Sequence, residues 1–387
     1  ASCGGGGAGD GIGSNGGGVG GSGFKPITSK GTITDFGSVF VNGVEFETSG
    51  SAVTTDDNPG TDDDLGLGMV VTVTGTINED GTTGTAESIV FEDNLEGPIA
   101  GDDDVAKTIT ILGQTVVWDS STVCENSSSL TIDCASLSVD NLVEVSGFTT
   151  TEGMIQATRI EIKDQDFNPA EDEVEIKGTI SGLTATTFLV GSQVVDYSAA
   201  VLDGISTLAN GMFVEVEGKL NADVLEATKI ELEDEDLDIA ADDEVEIEGL
   251  VDTFASCAGS DCTFTVNGLP VQTSSATEFK NGMPDDIAVG VRLEVEGAID
   301  ANGVLIAREV SFHDERVKIE AEVQSVDTAS NSITLLGITV TATSLTEFDD
   351  NSNSNTEPFG LGDIQSGDFL RIRGHLDDDG SIIAERI

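Results

Sequence analysis

The chain has 387 residues, and 72 acidic against 16 basic side chains give it a formal net charge of -56. Such a field repels phosphate backbones and anionic membrane surfaces, which excludes nucleic acid as a partner, and no apolar run approaches the roughly 20 residues of a spanning helix. Gly occurs 47 times while Trp and Tyr occur once each, a composition that favours strands and turns over long helices.

The chain opens with Ala1-Ser2-Cys3 and the run Gly4–Gly7, within a Gly-rich leader or tether over residues 1–23. A small-small-Cys triplet ends a bacterial lipoprotein cleavage site, and in that reading Cys3 carries the lipid that is the only membrane contact. Lipoprotein processing would leave Cys3 as the first residue, so the alternatives are an intermolecular disulfide or a free thiol at Cys3. Bare polyglycine cannot repay its own ordering entropy, so an ordered leader would require a partner surface such as a second subunit.

From residue 24 onward one pattern recurs five times. It starts as Lys30-Gly31-Thr32-Ile33, Glu96-Gly97-Pro98-Ile99, Lys177-Gly178-Thr179-Ile180, Glu248-Gly249-Leu250-Val251 and Glu320-Ala321-Glu322-Val323. Successive starts lie roughly 65 to 80 residues apart, long enough for a small domain each. An apolar strand then ends in a turn glycine at Asn42-Gly43, Leu112-Gly113, Val190-Gly191, Asn267-Gly268 and Leu336-Gly337. These signals predict hairpins, and the alternation in Val44-Glu45-Phe46-Glu47 predicts a strand with one buried face.

A segment of variable length follows, with a short helix expected near Ser198–Asn210. Next comes a glycine-framed strand such as Gly68–Gly75, Gly211–Gly218, Gly290–Gly297 or Gly367–Gly374. Phe213-Val214-Glu215-Val216-Glu217 alternates, placing Val214 and Val216 inward and both glutamates outward. A last strand carries Ala-x-x-Ile/Val, as in Ala86–Ile89 and Ala384–Ile387. Three strands, a variable segment and two strands is the order of an OB-type barrel, and closure is expected because so small a unit with open edges would aggregate.

The fold class is therefore all-β, with five tandem small antiparallel OB-like barrel modules in a semi-rigid rod behind the leader. The module boundaries are 24–95, 96–166, 167–237, 238–315 and 316–387. Phe167, Leu237 and Ile239 are expected to dock the joints against adjacent barrels. The turn glycine, the Gly-x-Val-x-Val-x-Gly strand and the terminal Ala-x-x-Ile together resemble the bacterial domain-of-unknown-function family 5666. That resemblance implies an exported, often lipid-anchored protein made of β modules, and it brings no catalytic residues. The second repeat departs most, with Pro98 in its first strand and no glycine ahead of Leu142.

Cys124 and Cys134 share the second module, and Cys257 and Cys262 share the first hairpin of the fourth. Each pair can close a short loop, which points to two disulfides and an oxidising compartment, the cell exterior. A four-cysteine zinc site lacks CxxC spacing and would have to span two modules.

The joints are acidic: Glu92-Asp93-Asn94, Asp164-Gln165-Asp166, and the run through Asp234, Asp236 and Asp238. Clustered carboxylates supply the oxygen ligands Ca²⁺ needs, with Asp62 and Asp64 a further calcium candidate, although no EF-type loop is present and solvated turns have the same composition. Trp118 and Tyr197 are the two rings able to stack on a glycan, against the alternative of core or inter-module packing. Phe46, Phe188 and Phe264 fall at inward strand positions.

Both histidines, His313 and His375, are expected at the surface, and neither sits in a nucleophile motif. No catalytic residue is assigned and the chain is not expected to be an enzyme. The functional expectation is an extracellular or cell-surface structural protein that assembles with copies of itself, or with other surface components, into a filament or stalk. The alternative is a lipid-anchored binding protein for calcium or glycan.

Overall fold

Alternating sequences with turn glycines fold here into five-stranded barrels, each closed by the same set of pairings. The computed structural model describes residues 25–35, 38–233, 239, 243–313, 316–348, 359–376 and 382–387. The leader with Cys3, and Asp234, Asp236, Leu237 and Asp238, lie outside the described residues.

In barrel 1 the strands are Lys25–Asp35, Val39–Val41, Val44–Glu47, Val70–Ile77 and Thr83–Phe91. The first three form an antiparallel meander, the fourth pairs antiparallel with both the first and the fifth, and the third closes the barrel by pairing parallel with the fifth. Barrels 2, 3, 4 and 5 repeat this circuit, with first strands Leu95–Asp103, Val174–Ser181, Glu244–Ala258 and Arg316–Asp327. The OB-type order is thus observed, with one correction: the closing pair of each barrel is parallel. The third and fifth strands run the same way because the chain crosses the barrel between them.

That crossing segment carries a short strand in four barrels, for example Ala52–Thr55 and Val201–Asp203, each parallel to the last strand. The short helix expected near Ser198–Asn210 is replaced there by this strand and turns. Edge pairing to the last strand satisfies backbone groups that a single helical turn would leave open.

The trailing glycine of the fourth strand has a steric reason. At Gly75, Gly147, Gly218, Gly297 and Gly374 the register against the last strand slips. A Cβ there would lie 2.0 to 2.3 Å from a carbonyl oxygen of that strand. The bulge brings the two backbones too close for any side chain.

Each barrel interior is filled by the inward set, including Phe46, Val214, Val216, Phe188 and Phe264, all fully buried. Disulfides join Cys124 to Cys134 and Cys257 to Cys262. The first ties the crossing segment of barrel 2, and the second bridges a cross-strand pair in the first hairpin of barrel 4.

The expected rod is corrected by contacts between barrels distant in sequence. Ile27–Lys30 of barrel 1 pairs in parallel with Glu244–Ile247 of barrel 4. Leu95 and Glu96 of barrel 2 pair antiparallel with Ile176 and Glu175 of barrel 3. Barrel 1 also meets barrel 2, where Arg159 Nη1 donates to the Leu67 carbonyl and the Val70 amide donates to Ser146 Oγ. Arg292 of barrel 4 lies over the Phe148 ring of barrel 2, and Lys229 of barrel 3 reaches Asp57 of barrel 1. The physical cause is the long first strand. Its second partner covers only the C-terminal half, so the other half keeps an open edge that two barrels can share. Barrels 1 to 4 fold back on one another, while the described strands of barrel 5 pair only among themselves.

Candidate metal centre

Where barrels 1, 2 and 3 meet, the alternating strands place glutamates on a face that is outward from each barrel yet covered by the next. Glu144 of barrel 2 is directly opposite Glu96, and Glu96 is directly opposite Glu175 of barrel 3. The same row continues to Glu161 on one side and Glu217 on the other. Like charges opposed across strands repel, so this row of carboxylates needs compensation.

Asp93 enters the row from the joint that leaves barrel 1. The Asp93 amide donates to Asp56 Oδ1, and Asn94 is clamped to barrel 2 because its amide donates to the Val145 carbonyl while its side-chain oxygen accepts from the Gly147 amide. That clamp directs Asp93 inward, where it is only 3% exposed and no N–H or hydroxyl donor reaches its Oδ1. One carboxylate oxygen from each of Asp93, Glu96 and Glu144 lies within 4.8 Å of the others.

Two ammonium groups face this cluster. Lys163 Nζ sits 2.7 Å from Glu144 Oε2. Lys177 Nζ is 3.0 Å from Glu215 Oε2 and 3.5 Å from Glu175 Oε1. Burial pulls the Lys177 ammonium down, but Glu175, Asp93, Glu215 and Glu233 outweigh it and hold it above the usual lysine range. Burial and the neighbouring Glu175, Glu144 and Asp56 charges push Asp93 well above the carboxylate range. Glu96 is pushed up to about 7 and Glu175 to about 8, burial being the largest cause for both. With seven carboxylates, counting Asp56, Glu215 and Glu233, around two ammonium groups, the junction holds protons or binds a cation.

The fivefold circuit and this shared architecture agree with what the sequence is similar to. The model of a family described as "Domain of unknown function (DUF5666)" matches residues 26–90, 96–161, 177–231, 255–311 and 320–387. The chain belongs to this family. A search of curated proteins finds no match.

Asp62, Asp64, Trp118 and Tyr197, the other described candidates of this DUF5666 chain, each have a partner within the chain. Asp64 Oδ2 accepts from the Thr61 amide and hydroxyl, capping a 3₁₀ turn, and Asp62 accepts from the Thr48 hydroxyl. Neither belongs to the carboxylate cluster, and Asp234, Asp236 and Asp238 lie outside the described residues. Trp118 is half-buried against the core of barrels 2 and 3, with Lys107 Nζ 5.7 Å from its ring centre. Tyr197 packs its ring 5.6 Å from that of Phe188 and donates its hydroxyl to the Thr184 carbonyl. Both rings are therefore engaged within their own barrels.

His313 corrects its expected surface position. It lies half-buried with Nδ1 3.4 Å from Glu248 Oε1, in the seam between barrels 1 and 4. The side chain of His375 lies outside the described residues. A cleft of about 400 Å³ opens at the end of that seam, with Lys25, Arg308 and Glu246 in its walls. Its cations are already paired, Lys25 with Glu244 and Arg308 with Glu244 and Glu296. Sequence reasoning named the Glu92-Asp93-Asn94 joint but missed Glu96 and Glu144. They come from separate strands, and the signal available was the acidic residue at the repeat start.

Proposed function

We propose that the chain is a non-enzymatic structural protein of the cell exterior that pairs with a second copy of itself through barrel 5. The observation that carries this reading is one uncovered repeat position. The residue five places before the bulge glycine is Val70, Leu142, Phe213, Arg292 or Phe369. It is buried or half-buried in barrels 1 to 4 and 68% exposed in barrel 5. Neighbouring barrels supply contacts there, such as Ser146 to the Val70 amide and Thr32 to the Arg292 guanidinium.

A second apolar side chain joins Phe369 for a stated reason. In barrels 1, 2 and 4 the turn residues Asn42, Leu112 and Asn267 fold onto Gly31, Gly97 and Gly249, where a Cβ would collide with them. Barrel 5 has Ala321 at that position, and its turn residue Leu336 stands 69% exposed. The position that a sister barrel contacts in barrels 1 and 4 is apolar and uncovered by the other described residues in the fifth, and the same apolar pair on a second copy is the occupant we propose. The two disulfides and the acidic surface support an oxidising exterior. One self-complementary face gives a closed two-fold dimer, and a filament would require a second, different face.

Sedimentation velocity tests the pairing. The expected result is a dimer at micromolar concentration that Phe369→Asp and Leu336→Asp turn into a monomer with an unchanged circular dichroism spectrum and a melting temperature no longer dependent on concentration. A wild-type monomer over the accessible concentration range, or a dimer indifferent to both substitutions, would sink it.

A further inference from the structure

We propose that Asp93, Glu96 and Glu144 bind one Ca²⁺ ion, which ties barrels 1 and 2 together beside the first strand of barrel 3. Three observations meet at this point, and none depends on barrel 5. No N–H or hydroxyl donor reaches the buried Asp93 Oδ1 atom, and the Asp93 and Glu175 carboxyl groups bond each other only by sharing a proton, which a bound cation would replace. The three carboxylate oxygens lie within 4.8 Å of one another, compatible with a shared ion at the 2.3 to 2.6 Å bond length of Ca²⁺. The strand register sets Glu144, Glu96 and Glu175 side by side, so the carboxyl groups are held together by the backbone pairing and cannot move apart.

The donor set contains only oxygen, which selects a hard cation over zinc or copper. Glu144 Oε2 is taken by Lys163, leaving its other oxygen for the ion. Water and a second carboxylate oxygen complete the six to eight ligands that Ca²⁺ accepts in irregular geometry. Mg²⁺ demands a stricter octahedron and dehydrates reluctantly, so it binds this site less well.

An acidic surface binds Ca²⁺ weakly everywhere, so the test separates one saturable site from that background. Calorimetric titration of the whole chain with CaCl₂ at 0.15 M KCl is compared for wild type, Asp93→Asn and Glu96→Gln. Wild type is expected to show one site at least tenfold tighter than the surface background, and each variant to lose it. Melting in chelator and in Ca²⁺ supplies the readout that a purely structural role would not give. Removing one of several crowded charges leaves each variant at least as stable as wild type in chelator, whereas in Ca²⁺ the wild type overtakes both. Equal Ca²⁺ response in all three proteins, or no site distinct from the background, overturns the proposal. Wild-type crystals grown in Ca²⁺ give an independent reading: density among the three carboxylates supports the site, and none there overturns it.

Discussion

The two seams that fold the barrels back on one another use the same strand edge and handle charge differently. In the parallel seam between barrels 1 and 4, Glu248 is met by Arg292 at 2.8 Å and by the Thr32 amide at 2.9 Å. Glu244 is met by Lys25 and Arg308, and Glu246 by the Ser29 hydroxyl. In the antiparallel seam between barrels 2 and 3, Glu96 faces Glu175 directly, and the described ammonium partners are Lys163 and Lys177. Between barrels, the parallel register sets the acidic positions against Ile27–Lys30, which offers donors, whereas the antiparallel one sets Glu96 against Glu175. In the first seam Glu244 and Glu248 are met by cations and the excess is confined to Glu246, whereas the second gathers several carboxylates around Lys163 and Lys177.

The comparison breaks most sharply at Arg292. Arg292→Leu removes the cation from a buried Glu248 and the contact over the Phe148 ring, at a cost of about 3 to 5 kcal/mol. Urea unfolding should show that loss, and Ca²⁺ should not restore it, because among the described residues the carboxylate cluster lies at the other seam. Restoration by Ca²⁺ would mean that the two seams are not distinct.

Each seam also has one disulfide in a contributing barrel. Opening Cys124–Cys134, which spans 10 residues, should cost about 3 kcal/mol, and opening Cys257–Cys262, which spans 5, about 2 kcal/mol. Double Cys→Ser variants melted with and without reductant measure both. The ranking reverses only if the loop closed by Cys124–Cys134 holds structure in the unfolded chain.

A smaller effect, and a gain, is expected from Glu246→Gln. Burial and the facing Glu294 and Glu296 charges raise the Glu246 pKa well above its ordinary 4.5, against lowering by the Ser29 hydroxyl and Arg308. A raised folded pKa means that the folded state holds a proton the unfolded chain has released. Stability from this group is therefore full below about 4.5 and falls as pH rises toward the folded pKa. Glutamine keeps a partner for Ser29 and removes the charge, so the variant should match wild type near pH 4 and exceed it at pH 8. A uniform shift across pH would assign the effect to packing instead.

Much of the barrel was legible because its signals are local. The inward Val214, Val216 and Phe188 follow from period-2 alternation, and the bulge glycines recur at one repeat position. The fold-back was not legible, since Ile27–Lys30 meets Glu244–Ile247 through backbone groups that any residue carries. Glu215 shows the same limit: it points out of its barrel as alternation requires, yet is only 6% exposed, because Lys177 and the seam cover it. At the candidate centre the sequence marked the joint Glu92-Asp93-Asn94 without distinguishing Asp93 within it, while Asp62 and Asp64, which look equally acidic, accept hydrogen bonds at a turn. Composition reports charge, but only the register decides which carboxylates face one another.

The smallest effect tests whether the rim of a seam matters as its centre does. Lys25 pairs with Glu244 at 2.9 Å, but its side chain is 67% exposed. Solvent screens such a pair, and holding a long lysine in place costs rotamer entropy, so Lys25→Ala should change stability by less than about 1 kcal/mol. Arg308 still holds Glu244 in that variant at 3.0 Å, which lowers the expected loss further. Urea unfolding at low and high salt checks the assignment, because a screened pair contributes least at high salt. A loss as large as that of Arg292→Leu would show that strand pairing in the parallel seam depends on its rim charge, and that its buried Glu248–Arg292 pair is not what sets it apart from the seam between barrels 2 and 3.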